Sequence, residues 1–136
     1  TREVSAPINL HWGWDNRTTG LRVPDATAKN YRIENRFPGA DVNPYLSIAA
    51  TLACGYLGMK NKIEPSAAFD GNAYGEELGL PRTLEEALRG LQEDQDVIEL
   101  FGKKFIQLYT SIKLIEFEEF NRVISSWERE HLLLNV

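Results

Sequence analysis

The sequence has 136 residues, 43% of them hydrophobic and 26% charged, which excludes a disordered or collagen-like chain and sets the scale at about one domain. A chain of this length can bury roughly two thirds of its extended surface, enough for one core without disulfides or a structural metal. A single cysteine, Cys54, and two distant histidines, His11 and His131, exclude an intrachain disulfide and Cys/His zinc spacing. No apolar run nears the about eighteen residues of a membrane helix and no signal-like segment is read at the start, so a cytoplasmic protein without a membrane partner is expected.

The net charge of −5 argues against a nucleic-acid partner, yet it is unevenly spread. Residues 1–36 carry +2, from Arg2, Arg17, Arg22, Lys29, Arg32 and Arg36 against Glu3, Asp15, Asp25 and Glu34, and the rest carries −7. A basic cluster on an acidic chain suits a compact phosphate or carboxylate pocket. The chain opens on Thr1 and its one methionine is Met59, so it is expected to be a piece of a longer polypeptide.

In chain order, the region from about 7 to 37 reads as strands. Ile8, Leu10 and Trp12 alternate with polar residues, Leu21 and Val23 flank Arg22, and Tyr31, Ile33 and Phe37 alternate with Arg32, Glu34 and Arg36. The period of two puts Arg32, Glu34 and Arg36 on one face. Residues 15–20 and 24–27 have turn composition.

From residue 43 the period becomes helical. Asn43 as N-cap and Pro44 at the first helical position start a helix running to about Met59, with Ile48, Ala49, Leu52, Ala53 and Tyr56 as its apolar stripe. Residues 64–82, with Pro65, Gly71, Gly75, Gly79 and Pro81, read as a long loop that covers something or meets a partner. Thr83 and Glu86 have capping-box spacing before Ala87, Leu88 and Leu91. A helix from about Asp94, weakened at Gly102, then continues to the C-terminus, with Phe105, Leu108, Tyr109, Ile112, Ile115, Phe120, Val123, Ile124 and Trp127 as its expected buried positions.

Arg32-Ile33-Glu34-Asn35-Arg36 admits two readings. Its carboxylate and two guanidiniums could hold a metal–nucleotide, the carboxylate on Mg²⁺ and the forks on phosphate oxygens. It could equally be an exposed strand face with paired charges, worth little energy. Arg17, Arg22 and Lys29, brought to the same region by turns, favour the first. His11 between Leu10 and Trp12 reads as a structural histidine, Cys54 as a small buried residue, and Trp12 and Trp14 as core aromatics, although the last two could stack on a base.

Taken together, Asn16-Arg17-Thr18, Leu21-Arg22-Val23-Pro24, Lys29, Arg32-Ile33-Glu34-Asn35-Arg36-Phe37-Pro38, Asn43-Pro44-Tyr45-Leu46 and Ala49-Ala50 form an ordered set. The set resembles the C-terminal part of the catalytic domain of the glutamine synthetase family, closely to about Met59 and loosely beyond. The resemblance implies an ATP-dependent ligase, using Mg²⁺ or Mn²⁺, that phosphorylates the side-chain carboxylate of glutamate and lets an amine displace the phosphate. It implies Glu34 as a metal ligand, Arg17 and Arg36 as the groups on the γ-phosphate and glutamyl carboxylate, and Arg22, Lys29 and Arg32 as nucleotide contacts. It also implies a homo-oligomer of stacked rings, with the terminal Leu132, Leu133, Leu134 and Val136 docking on another subunit.

Two departures bear on the amine. Arg36-Phe37-Pro38 is followed by Gly39 rather than by aspartate, and with Asp15-Asn16-Arg17-Thr18-Thr19 this wording is closer to the γ-glutamylputrescine synthetase branch. Ser5 precedes Ala6-Pro7, where ammonia-using members carry a flap glutamate; a serine is no base near neutral pH, so a polyamine such as putrescine is expected over ammonium. Tyr74 falls where some bacterial members carry an adenylylated tyrosine, but its flanking residues differ. The expected fold is α+β, a few antiparallel strands of a larger sheet followed by a mostly helical half from about 43 to 136. An ammonia-using enzyme and a non-catalytic relative serving as an interaction module are the alternatives, and the intact charged set favours an enzyme. The chain alone is expected to be inactive.

Overall fold

The structure, a computed structural model, describes residues 6–133 and resolves into two compact units, one ending at Leu80 and one beginning at Pro81. The α+β expectation holds: a small sheet comes first and helices dominate the remainder.

The first unit holds β1 (Trp12–Trp14), β2 (Leu21–Val23), β3 (Glu34–Asn35) and α1 (Pro44–Lys60). The sheet order is β1-β2-β3, but it is mixed rather than antiparallel: β1 and β2 run parallel, with Gly13 opposite Arg22, and β3 is antiparallel to β2, with Glu34 opposite Arg22. Turn-rich composition at 15–20 suggests a hairpin. The strands are only three residues long, about 10 Å, so residues 15–20 can carry the chain back to the start of β1 and launch β2 in the same direction. Asp15, at φ 43°, makes the reversal. Within the expected third strand only Glu34 and Asn35 pair.

The segment after α1 is pinned along β1. Phe69 N donates to Trp12 O at 2.8 Å, Trp12 Nε1 to Ser66 O at 2.8 Å, and Gly79 N to Ile8 O at 3.1 Å. Buried Asn9 donates to Ala73 O at 2.8 Å, and the His11 ring stacks on Phe69 at 4.6 Å, agreeing with its structural reading. Tyr74 sits half-buried in a single 3-10 turn, Ala73–Gly75.

α1 starts as read, with Asn43 Oδ1 accepting from Tyr45 N and Leu46 N and Pro44 at its first position. Its stripe is not buried, however: Ile48 is 60% exposed and Leu52 69%, and Cys54 and Tyr56 are exposed too. α1 is apolar around most of its circumference and is tied to β3 by Asn35 Nδ2 donating to Thr51 Oγ1 at 2.9 Å rather than by a packed face, so no single face is selected for burial. Trp12 is half-buried and Trp14 is 58% exposed, so the expected aromatic core forms only in part.

The second unit holds α2 (Leu84–Glu93), α3 (Gln95–Phe101), α4 (Lys103–Asn121) and α5 (Ser126–His131). Thr83 caps α2 and Asp94 caps α3. Gly102, at φ 85°, ends α3, and a cap at Ser125 starts α5, so the expected long helix is broken twice. The buried positions are Leu88, Ile106 and Thr110, where α2 meets α4. Phe105, Leu108, Ile112, Ile115, Phe120, Val123, Ile124 and Trp127 are exposed and Tyr109 is half-buried, correcting the predicted set. Two short helices can cover only one side of α4, and Ile106 and Thr110, four residues apart, mark that side. No helix among the described residues is long and apolar enough to cross a membrane.

Candidate active site

Pairing of β1, β2 and β3 sets Gly13, Arg22 and Glu34 side by side on one face. Arg22, its side chain 12% exposed, donates through Nη1 to Glu34 Oε2 at 2.8 Å and through Nη2 to Asp15 Oδ1. Arg32 Nη2 lies 3.9 Å from Glu34 Oε1, so Glu34 stands between two guanidiniums. These charge-assisted contacts raise the Arg22 pKa, first through Glu34 and then through Asp15, and the Arg22 guanidinium holds the Asp15 carboxyl below its ordinary value.

The turn from Asp15 to Gly20 organises a second pair. Asn16 Oδ1 accepts from Thr18 N at 2.9 Å and Thr18 Oγ1 at 2.7 Å, while Asn16 Nδ2 donates to Gly71 O at 2.9 Å and Phe69 O at 3.3 Å. The folded turn points its carbonyls at Arg36, whose Nη1 donates to Thr19 O at 3.0 Å and to Arg17 O. Arg36 N also donates to Gly20 O at 2.9 Å. The Arg17 side chain is exposed. Gly20 must be glycine for a steric reason: a Cβ there would overlap the Phe37 ring and lie 2.8 Å from Asn9 O.

Of the six residues singled out in the sequence, Arg22 and Arg32 each reach Glu34, and Arg36 reaches the main chain of Arg17 in the adjoining turn. Lys29 stands apart, exposed in a single 3-10 turn, Ala28–Asn30. Asp15 was legible only as a turn residue; its charge, seven residues before an arginine, carries no periodic signal. Ser5 lies outside the described residues.

Hard divalent cations need several oxygen ligands. The described residues hold no group of three His, Cys, Asp or Glu able to bind a metal. Glu34 fits as one ligand of such a site, because Arg22 occupies only its Oε2 at hydrogen-bond distance.

Residues 1–132 match the family model for the glutamine synthetase catalytic domain. The chain belongs to the glutamine synthetase family. It is 40% identical over 124 residues to a glutamate–isopropylamine ligase of a Pseudomonas species, covering 88% of this chain and 27% of that protein. It is 35% identical over 130 residues to the γ-glutamylputrescine synthetase of Escherichia coli strain K12, covering 95% of this chain and 28% of that one. The chain thus spans little more than a quarter of the length of these curated relatives. The fold is also that of Plasmodium falciparum glutamine synthetase solved by cryo-EM, with a TM-score of 0.72 at 16% identity over 96% of this chain and 35% of the other. Membership of a glutamine synthetase-type ligase family, expected from the ordered motifs, is therefore shown.

Proposed function

We propose that the chain is the C-terminal portion of a cytoplasmic, ring-forming ligase that joins the side-chain carboxylate of glutamate to an alkyl amine at the expense of ATP. The observation that carries this reading is the convergence of Arg22 and Arg32 on Glu34 beside the turn that holds Arg17 and Arg36. A relative kept only as a structural module has no need of that arrangement. The exposed apolar surface of α1 supports the same reading, since a helix apolar nearly all round belongs inside a larger fold.

In this reading the glutamate carboxylate attacks the γ-phosphorus of ATP, and ADP leaves. The amine nitrogen then attacks the acyl carbon, phosphate leaves and the nitrogen loses its proton. Arg17 and Arg36 contact the transferred phosphoryl group and the glutamyl carboxylate, where fixed cations oppose the charge that develops. Arg22 and Arg32 contact the nucleotide where they meet Glu34, and Lys29 contacts it from its separate turn. Each Nη of Arg22 has a second hydrogen, so the guanidinium can hold both carboxylates and still meet a phosphate oxygen. Glu34 supplies one ligand to Mg²⁺ or Mn²⁺, which when bound neutralises phosphate charge.

For the amine, Ser5 in place of a flap carboxylate removes the group best suited to a small cation, and a larger amine can draw binding energy from its own chain. The relatives named for isopropylamine and putrescine support an alkyl amine, with putrescine or a similar polyamine the first choice. The test is glutamate-dependent ADP release by the full-length protein with ammonium and a panel of mono- and diamines. Putrescine should give the highest kcat/KM. A higher value with ammonium than with every alkyl amine overturns the reading of Ser5, and no release with any amine overturns the ligase. The 136-residue chain alone should release none, because Glu34 is the one carboxylate read as a metal ligand and the described residues hold no group of three His, Cys, Asp or Glu that could bind a metal.

A further inference from the structure

We infer that Asp15 is a positioning residue for the proposed metal site: it fixes the Arg22 guanidinium, and Arg22 in turn fixes the carboxylate of Glu34. This deepens the reading of Glu34 as a metal ligand and rests on it.

The backbone first puts Asp15 in place. It follows β1 directly, its amide donates to Val23 O at 2.8 Å at the end of β2, and its φ of 43° lies in the left-handed region. Glycine or asparagine would meet that backbone requirement at least as well. What aspartate adds is a charge, and that charge goes to Arg22 Nη2.

The geometry of Arg22 then makes the charge matter. Its Nε is buried and has no partner among the described residues, so the two Nη contacts alone set the plane of the guanidinium. One is to Asp15 and the other to Glu34. With the Asp15 charge removed, the contact at Nη2 falls from a charge-assisted to at most a neutral hydrogen bond, the guanidinium can pivot about Glu34, and the carboxylate loses the fixed donor that orients it.

Charge runs the same way. Asp15 and Glu34 balance Arg22 and Arg32, and Asp15 also lies in the field of Arg17. Neutralising Asp15 leaves an excess cation beside Glu34, which repels a metal ion and attracts an anion. A purely structural residue would weaken both kinds of ligand together.

The experiment is Mn²⁺ binding to the full-length protein by electron paramagnetic resonance, with ADP binding in the absence of metal and thermal unfolding measured on the same samples. Asp15→Asn should bind Mn²⁺ about 10- to 100-fold more weakly, the usual effect of losing a group that orients a ligand. Metal-free ADP should bind no more weakly than before, and Asp15→Glu should recover part of the Mn²⁺ affinity. Mn²⁺ affinity within twofold of the unsubstituted protein in Asp15→Asn, where Glu34→Gln loses it, overturns the inference and leaves Glu34 as a ligand. Unchanged affinity in Glu34→Gln overturns the reading of Glu34 and the inference with it. Parallel loss of Mn²⁺ affinity, ADP affinity and melting temperature, without rescue by Asp15→Glu, also overturns it.

Discussion

The Arg36 guanidinium donates to the backbone carbonyl of Arg17, so one arginine of the proposed phosphoryl site is held by the main chain of the other. A second carbonyl, that of Thr19 at 3.0 Å, lies within reach of the same Nη1. Rigid backbone acceptors fix a planar fork far better than a flexible side chain would, and preorganised charge is what phosphoryl transfer asks of a protein.

Replacing Arg36 by lysine keeps the charge but loses the fork. In the full-length protein we expect kcat for glutamate-dependent ADP release to fall by about 10²- to 10³-fold, with thermal unfolding little changed. Near-normal kcat in Arg36→Lys would show that charge alone suffices and that the carbonyl anchors carry no catalytic weight.

Gly20 supplies a purely steric prediction. A methyl group there would run into the Phe37 ring on one side and sit 2.8 Å from Asn9 O on the other. Gly20→Ala should destabilise the protein by about 1–3 kcal/mol, the cost of overpacking a tight site. Phe37→Leu in the same chain should recover only part of it, because the Asn9 carbonyl is backbone and cannot swing aside. Simple additivity of the two substitutions in urea unfolding would sink this account.

Asn16 uses both ends of its amide. Its oxygen accepts from Thr18 and its nitrogen donates to the carbonyls of Phe69 and Gly71, tying the Arg17 turn to the segment pinned along β1. Asn16→Asp is the informative change: it retains shape and acceptor, but turns a carboxylate oxygen toward two carbonyls. We expect a loss of about 1–3 kcal/mol and faster proteolytic cleavage within residues 64–80, as that segment opens locally. Asn16→Asp with unchanged stability and cleavage would mean that the amide nitrogen contributes nothing.

The parts of this fold legible in the sequence are those specified locally. Asn43-Pro44 gives the start of α1 because a side-chain acceptor and a missing N–H act on the next turn alone. Gly102 was legible as a weak point only, whereas its φ of 85° ends α3 outright. Thr83 caps α2, but Glu86 reaches back to Arg82 N at 2.8 Å rather than to the Thr83 amide, so the capping-box spacing is met in one half only. The parallel pairing of β1 and β2 was not legible: turn composition gives a reversal, and whether the chain reverses once or returns to the start depends on strand length. Burial on α4 was likewise hidden, since its apolar residues point several ways and only the placement of α2 and α3 selects Ile106 and Thr110. In the site, the Arg-Glu-Arg alternation marked residues that the structure brings beside Arg22 and the 15–20 turn, yet β3 is too short for a strand face to hold them. Arg32 reaches Glu34 from outside the strand, and Arg36 turns to the carbonyls of the 15–20 turn. Ser125 and Glu128, by contrast, carried a readable capping-box spacing within the stretch taken as one continuous helix.

That capping box yields a pH-dependent prediction. Ser125 Oγ accepts from Glu128 N at 3.2 Å, and Glu128 Oε2 accepts from Ser125 N at 2.7 Å. The hydrogen bond from the Ser125 backbone, then that from its side chain, lowers the Glu128 pKa below its ordinary 4.5. A carboxyl whose folded pKa is depressed stabilises the fold above its unfolded value, and that contribution disappears as pH falls through the folded one. The cap on α5 is therefore at full strength at neutral pH and fails only in acid, beneath 4.5. Titration of the Glu128 carboxyl carbon by NMR should give a midpoint below that value. Ser125→Ala removes the hydroxyl but keeps the backbone donor, the larger of the two causes, so it should return the midpoint only part of the way. Ser125→Pro removes the donor itself and should return it nearly completely. A midpoint indifferent to both substitutions would mean that the box does not persist in solution.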